Sequence, residues 1–218
     1  MSFMRPTYIK VEITSAYALK YSLYMYKEQT DSYHLGIPIL FIPGNAGSYK
    51  QMRSLASEAF YQDSTFDFYG VDTNEELSAF HGRSLIDQAD YLNDVIKNLE
   101  EFYSEKFIII GHSMGGVVAR MLFSLPSYKP GSVGLVLTLS TPHTHPRAPL
   151  EYESYLIYNI INGRKYHIND AAVISVANGM RDTMIDSESS IIGSEFGNTY
   201  FLSEIPFVWT SCGHQEIV

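Results

Sequence analysis

The sequence predicts an α/β fold in which helices cover a mostly parallel, doubly wound β-sheet. Short apolar runs alternate with helical patterns from residue 37 onward, and this alternation is typical of strands joined by crossover helices. The composition is that of an ordinary globular protein, with 45% hydrophobic and 18% charged residues. A length of 218 residues fits one large domain, so we predict a single domain over residues 1–218.

The predicted elements follow one another in a regular order. An aromatic-rich stretch at residues 16–26 is consistent with one or two early strands. Six later strands share a short apolar run, and they are predicted at residues 39–42, 66–72, 107–110, 133–140, 171–177 and 206–211. Helical patterns begin after Ser48, at Leu85 and after Ser113, and the second is the clearest because its apolar residues form one stripe. Residues 186–200 are predicted to be a mobile loop.

Composition and charge exclude several classes of partner. The net charge of -9 disfavours binding to nucleic acid, because that affinity comes from Lys and Arg side chains that neutralise phosphates. The N-terminal segment lacks an apolar core of signal-peptide length, and no run of about 18 uncharged apolar residues is present for a membrane span. The single cysteine, Cys212, excludes an intramolecular disulfide. The sequence as written therefore predicts a soluble chain that does not bind nucleic acid.

Residues 111–115, Gly-His-Ser-Met-Gly, form a G-x-S-x-G motif between a predicted strand and a predicted helix. Small residues two positions before and after the serine permit a sharp, strained turn that presents the serine Oγ above the sheet. The motif occurs by chance in many chains, but chance rarely supplies the flanking strand and helix as well. The pattern therefore predicts an α/β-hydrolase fold with Ser113 as the nucleophile, and it favours Ser113 over Cys212, which lies outside the motif.

A serine hydroxyl becomes a strong nucleophile when a base takes its proton and a carboxylate orients that base. In this architecture the acid and then the histidine follow the serine along the chain, each after a strand. His214 is the histidine that follows both an acid and a predicted strand. Asp182 is the predicted acid, because it lies shortly after the strand at residues 171–177, and Asp186 lies further along the same loop. The prediction includes no cofactor and no metal.

A glycine-rich turn at residues 43–47 separates an early strand from the helix that Ser48 is predicted to cap. Its spacing does not match the P-loop or the dinucleotide-binding fingerprint. In enzymes with a nucleophile elbow, two backbone N–H groups stabilise the negative charge on the carbonyl oxygen: one follows the nucleophile and one lies in the loop after an early strand. We therefore predict an oxyanion hole formed by Met114 and by either Asn45 or Ala46.

The segment at residues 149–163 is predicted to be helical and is strongly apolar for a connection between two strands. It follows the end of a strand and therefore emerges on the same side of the sheet as Ser113. One interpretation is a lid, whose Leu156 and Ile160 would contact the acyl chain of a lipid substrate. The other interpretation is packing against the edge of the sheet. The sequence leaves both open.

Several segments resemble the glycosylphosphatidylinositol (GPI) inositol-deacylase family. In chain order they are IPGNAGSYKQMRSLASEAF, FDFYGVDTNEELSAFHGRSL, IIIGHSMGGVVAR, LSTPHTHPRAPLE and SVANGMRDTMID. The resemblance implies an α/β-hydrolase that removes the acyl chain from the inositol of GPI anchors, with a GPI lipid or a GPI-anchored protein as substrate. It also implies residence at the luminal face of the endoplasmic reticulum membrane. It implies Ser113 as the nucleophile and places Asp182 and His214 at the later triad positions.

Two features depart from the pattern of that family. Its members carry transmembrane segments that flank a luminal hydrolase domain, whereas none is present in this sequence. The sequence also stops four residues after His214, before the helix that normally closes the fold, so a truncation after the catalytic histidine is expected. Two other functions therefore remain open: a soluble lipase or carboxylesterase with acylglycerol substrates, and a non-catalytic remnant that binds lipid or a partner.

Overall fold

The computed structural model describes residues 6–28, 35–62, 65–147, 150–163, 171–208 and 212–218. Within these ranges, eight strands form one sheet: β1 (Thr7–Val11), β2 (Ser22–Lys27), β3 (Ile37–Ile42), β4 (Phe66–Asp72), β5 (Phe107–His112), β6 (Val133–Leu139), β7 (Ala172–Ala177) and β8 (Asn198–Phe201). The α-helices in the same ranges are α1 (Arg53–Tyr61), α2 (Gly82–Leu99), α3 (Met114–Leu122) and α4 (Tyr152–Ile161). Short 3-10 helices occur at Tyr49–Met52 and Leu202–Glu204.

The sheet is parallel over most of its width. Its strand order is β1-β2-β4-β3-β5-β6-β7-β8, and every neighbouring pair from β4 to β8 is parallel. β1 and β2 pair antiparallel to each other, and β2 pairs antiparallel to β4. The fold predicted from the alternation of strands and helices is therefore confirmed. Since parallel strands point the same way, the carboxyl ends of β3, β5, β6 and β7 meet at one edge of the sheet.

Helices pack on both faces of the sheet and bury its apolar strands. On one face, Met52 and Ala56 from the region of α1 pack against Phe41 and Phe68. On the other face, α3 is buried at every position because it lies between β5 and α2. The apolar stripe predicted for α2 faces this core, and its buried members are Leu85, Ala89, Leu92, Val95, Ile96 and Leu99. The core thus holds α3, and with it the turn before α3, in a fixed position.

The last strand among the described residues, β8, lies earlier in the chain than the last strand that the sequence predicts. Of the strand predicted at residues 206–211, residues 206 and 207 form a turn, and residues 209–211 lie outside the described residues. β8 instead falls inside the segment predicted to be a mobile loop, where it pairs with β7 at the edge of the sheet. Three of its four residues are exposed, so β8 lacks the apolar alternation that marks a buried strand. Pairing with β7, a tertiary contact, makes this segment a strand.

The apolar segment at residues 149–163 does form a helix, α4, although residue 149 lies outside the described residues. Ser154, Ile157, Tyr158 and Ile161 face the core, while Leu156 and Ile160 are on the exposed side. The guanidinium of the buried Arg120 donates to the carbonyl of Ile161 at 2.6 Å, which fixes the end of the helix to α3. Among the described residues, no helix is both long and apolar enough to cross a membrane.

Candidate active site

Ser113 occupies a strained turn between β5 and α3. Its backbone has φ 53° and ψ -123°, a conformation that residues other than glycine rarely adopt. The flanking glycines are required by close packing: a Cβ on Gly111 would lie 2.6 Å from the Gly116 Cα, and a Cβ on Gly115 would lie 2.2 Å from the Ile42 carbonyl oxygen. The structure therefore contains the sharp strand-to-helix turn that the G-x-S-x-G motif predicts.

His214 and Asp182 form a buried pair on the loops beyond β7 and β8. The Nδ1 of His214 lies 2.8 Å from the Oδ2 of Asp182, and the second carboxylate oxygen accepts the N–H groups of Met184 and Ile185 at 2.9 and 2.8 Å. Burial by itself raises the pKa of Asp182, but the N–H of Ile185 and the ring of His214 outweigh burial and hold this pKa below its usual range. Asp182 is therefore ionised at neutral pH and can orient the imidazole of His214.

Asp186, the other acid in this loop, has different partners. Its Oδ1 accepts the backbone N–H of Ser189 at 2.8 Å and the hydroxyl of Ser189 at 2.7 Å, and its Oδ2 forms an ion pair with Arg147. These bonds close the loop on itself and tie it to the segment after β6. The structure therefore brings Asp182, and not Asp186, to His214.

Ser113, His214 and the glycine-rich turn line one cleft at the carboxyl edge of the sheet, and its other lining residues are His112, Met184, Gln215, Ser48 and Gln51. Among the described contacts, no hydrogen bond joins Ser113 to His214. In serine hydrolases this bond often tightens only when substrate is bound. Within the same described ranges, no group of three His, Cys, Asp or Glu side chains could hold a metal ion. The cleft thus combines a strained serine with a buried His–Asp pair.

The N–H groups of Asn45 and Ala46, the two predicted candidates for the second oxyanion donor, differ in their hydrogen bonds. The N–H of Ala46 is already engaged, because it donates to the main-chain carbonyl of Glu76 at 2.9 Å. The N–H of Asn45 has no partner among the described residues, while its side-chain oxygen accepts the N–H of Ala79 at 2.9 Å. A Cβ at Gly44 would lie 2.7 Å from the Cβ of Ser113, so glycine lets the turn approach the nucleophile. Of the two predicted candidates, Asn45 is therefore the one whose N–H has no partner among the described residues.

Two further residues, Met114 and Glu76, bear on the predicted oxyanion hole: one as a donor, the other as the partner of Ala46. Met114 is the first residue of α3, and the first N–H groups of a helix have no acceptor within it. The sequence predicts no role for Glu76, which lies in the NEEL segment, part of one of the stretches that carry the family resemblance. Its carboxylate accepts the hydroxyl of Tyr21 at 2.6 Å and pairs with Lys20 at 2.7 Å. The glycine-rich turn is thus hydrogen-bonded to an anchored neighbouring loop.

Leu156 and Ile160 are not brought to this cleft. Their exposed fractions are 41% and 44%, and both lie on the outer side of α4. Neither residue lines the cleft around Ser113. The opposite side of α4 is held to the protein body by Arg120 and by the hydroxyl of Tyr158, which donates to the carbonyl of Pro142 at 2.8 Å.

Two buried histidines make stability dependent on pH. Burial lowers the pKa of His112 to about 4, and burial together with the nearby Arg120 guanidinium lowers the pKa of His143. The histidines of the unfolded chain titrate near pH 6.5. As pH falls, they therefore bind protons before His112 and His143 of the folded protein do. We therefore expect the free energy of unfolding to decrease between about pH 6.5 and pH 4, by about 3 kcal/mol for His112 alone.

Urea unfolding at pH 7 and pH 4.5 measures this loss of stability. The control is His112→Gln, which removes one of the two titrating groups and is expected to flatten the pH dependence. An equal slope for the wild type and His112→Gln would contradict the assignment of a neutral, buried His112.

The family of this chain is shown by its similarity to known proteins. A model of the PGAP1-like alpha/beta domain matches residues 34–218. The chain belongs to this family. Its curated fungal relatives are named GPI inositol-deacylase: those of Chaetomium globosum and Neurospora crassa are 37% and 36% identical over 269 residues, across 100% of this chain. The chain spans 24% and 21% of the length of these two relatives. The family predicted from the resemblance is therefore confirmed.

Solved structures with a similar fold include hydrolases. A mature lipase from Bacillus licheniformis superposes with a TM-score of 0.60 at 13% identity and covers 89% of this chain and 91% of its own. An acylaminoacyl peptidase from Pyrococcus horikoshii superposes with a TM-score of 0.58 at 10% identity, over 98% of this chain and 38% of its own. At such identities the likeness concerns the fold alone, and it confirms the α/β-hydrolase fold of this PGAP1-like domain.

Proposed function

We propose that this PGAP1-like domain is a serine hydrolase that cleaves the acyl ester on the inositol of GPI anchors. The observation that carries the proposal is the cleft lined by both Ser113, on its strained turn, and His214, whose Nδ1 lies 2.8 Å from the Oδ2 of the buried Asp182. The substrate class is supported by the names of the relatives, which are GPI inositol-deacylases. The proposed partners are therefore a GPI lipid or a GPI-anchored protein.

In the proposed mechanism, Nε2 of His214 takes the proton of Ser113 as the serine Oγ attacks the ester carbonyl carbon. The ionised Asp182 stabilises the imidazolium that forms, through the hydrogen bond at Nδ1. The N–H groups of Met114 and Asn45 stabilise the negatively charged oxygen of the tetrahedral intermediate, and each such donor typically contributes about 3 to 4 kcal/mol. Collapse of the intermediate expels the inositol oxygen, which takes the proton from His214.

The second half of the proposed reaction uses the same groups. His214 removes a proton from a water molecule, which attacks the carbonyl carbon of the acyl-enzyme. A second tetrahedral intermediate collapses, Ser113 regains its proton from His214, and the fatty acid leaves. The products are therefore a free fatty acid and a GPI with an unmodified inositol hydroxyl. We propose that this occurs at the luminal face of the endoplasmic reticulum membrane, where the family resemblance places the substrate.

The proposal is tested by incubating the purified chain with inositol-acylated GPI and measuring release of the fatty acid by mass spectrometry. Release that depends on Ser113 is the expected result. Hydrolysis of short soluble esters or acylglycerols without any release from inositol-acylated GPI would favour a lipase or carboxylesterase. A folded chain that does not react with a fluorophosphonate probe would favour a non-catalytic, lipid-binding or partner-binding protein.

Although Leu156 and Ile160 do not line the cleft around Ser113, we also propose that the exposed side of α4 contacts the part of the acyl chain that extends beyond this cleft. Replacing both Leu156 and Ile160 with serine is expected to reduce hydrolysis of long-chain esters by about tenfold or more, because each buried CH₂ contributes about 0.8 kcal/mol. Hydrolysis of short-chain esters and the Tm should stay close to the wild-type values, because both side chains are already exposed.

The matched control is Ile157→Ser, which changes the neighbouring residue on the buried side of α4. This substitution is expected to lower the free energy of unfolding by about 2 to 5 kcal/mol without changing the chain-length preference of the folded protein. Equal losses for long and short esters in the double variant, with a large drop in Tm, would show that the outer side of α4 has a structural role.

A further inference from the structure

The segment that carries His214 has no regular secondary structure of its own. Residues 212–218 form turns and contribute no helix or strand to the described structure. Two side chains from the protein body hold its main chain: Nδ2 of Asn178 donates to the carbonyl of Gly213 at 3.1 Å, and Nε2 of His112 donates to the carbonyl of His214 at 2.8 Å. Ile217 and Val218 also pack against the core, so the segment is held by side-chain donors and apolar contacts and not by the backbone hydrogen bonds of a helix or strand.

Of these two hydrogen bonds, the one from His112 ends on His214 itself, whereas the one from Asn178 ends on the preceding residue. His112 is the last residue of β5 and precedes Ser113, so its backbone is held by the central sheet. The residue is 2% exposed, and the centroid of its ring lies 4.8 Å from the centroid of the His214 ring. The side chain of His112 thus connects the end of β5, next to the nucleophile, to the main chain of His214.

The hydrogen bonds of His112 define its tautomer. Donation to the carbonyl of His214 requires a proton on Nε2. The other nitrogen, Nδ1, is buried and has no hydrogen-bond partner among the described residues, so a second proton would create a buried charge without an acceptor there. The titratable groups that act on His112 are His214 and Asp182, and burial lowers the pKa of His112 to about 4. His112 is therefore a neutral donor at neutral pH.

We infer that His112 is a positioning residue, which holds the His214 imidazole in register with Ser113 by donating from Nε2 to the His214 carbonyl. This inference rests on the proposed serine-hydrolase function. It assigns a role to the second residue of the G-x-S-x-G motif, whose side chain the strained turn itself does not require. A displacement of the base by about 1 Å is sufficient to slow such a reaction by about 100-fold.

The test compares a variant that keeps a donor with one that lacks it. His112→Gln retains an N–H donor, and His112→Phe retains the planar ring but cannot donate. With p-nitrophenyl butyrate as substrate, we expect His112→Phe to lower kcat by about 30- to 100-fold and to change KM by less than about threefold. His112→Gln should recover kcat to within about tenfold of the wild type, and the rate of reaction with a fluorophosphonate probe should follow the same order.

A buried histidine that does not line the cleft provides the control. His143 contacts Thr138 and Arg120 and does not line the cleft. His143→Phe is expected to lower Tm while the kcat of the folded protein stays within about twofold of the wild type. If His112→Phe does not fold, His112→Met replaces it, because methionine is close to glutamine in length and has no N–H donor.

Three outcomes would overturn the inference or its basis. Equal losses of kcat in His112→Gln and His112→Phe would show that the hydrogen bond is not the cause. A kcat for folded His112→Phe within about threefold of the wild type would show that His214 needs no such support. A wild-type chain that neither hydrolyses the ester nor reacts with the probe would overturn the proposed function, and the inference with it.

Discussion

Replacing Ser113 with alanine is expected to lower kcat for ester hydrolysis by about 10⁴-fold or more and to abolish labelling by a fluorophosphonate probe. The variant removes the oxygen that attacks the carbonyl carbon, while the buried His214–Asp182 pair and the two proposed oxyanion donors remain. The Tm should change by only a few degrees, because Ser113 is already held in its strained conformation and loses only its hydroxyl. Single-turnover kinetics with a short ester and mass spectrometry of the labelled peptide measure both effects.

Ser140 offers a matched control for this experiment. It is also a buried serine with positive φ, here 45°, but it does not line the cleft. Ser140→Ala should therefore retain labelling and keep kcat within about threefold of the wild type. Labelling that persists in Ser113→Ala would show that another residue is the nucleophile, and Cys212 would then be the first to test.

Replacing Asp182 with asparagine is expected to lower kcat by about 10³- to 10⁴-fold, because the imidazole of His214 loses the charge that orients it and stabilises its protonated form. The Asp182 carboxylate also accepts the N–H groups of Met184 and Ile185, so a moderate drop in Tm should accompany the loss of activity. Kinetics on a short ester, normalised to the folded fraction at the assay temperature, separate the two effects.

Asp186→Asn is the matched variant in the same loop. It weakens the contacts to Arg147 and Ser189 but leaves the His214–Asp182 hydrogen bond in place. We expect the folded Asp186→Asn protein to keep kcat within about tenfold of the wild type. A severe loss in Asp186→Asn together with near-normal activity in Asp182→Asn would show that the acid has been assigned to the wrong residue.

Features that depend on short stretches of the chain could be predicted from the sequence. The turn at Ser113 follows from the small residues around it, since only glycine at positions 111 and 115 allows the backbone to pack as closely as it does. The amphipathic helix α2 follows from its apolar stripe, and the apolar strands β3 and β5 follow from their composition. Chain order also pointed to Asp182 and His214, because each follows a strand in the expected sequence.

Contacts between distant segments decided the rest. The proposal of Asn45 over Ala46 depends on a hydrogen bond from Ala46 to a loop 30 residues away, and the contact that pairs Asp182 with His214 joins two loops that are 32 residues apart. β8 is a strand only because it pairs with β7, and the His112–His214 bond spans 102 residues. Sequence by itself determined the local geometry of the elbow and the order of the candidate residues, because backbone sterics and apolar periodicity act over a few residues. The tertiary structure alone decided which N–H groups stay free and which side chains pair, because hydrogen bonds between loops depend on where the whole sheet places them.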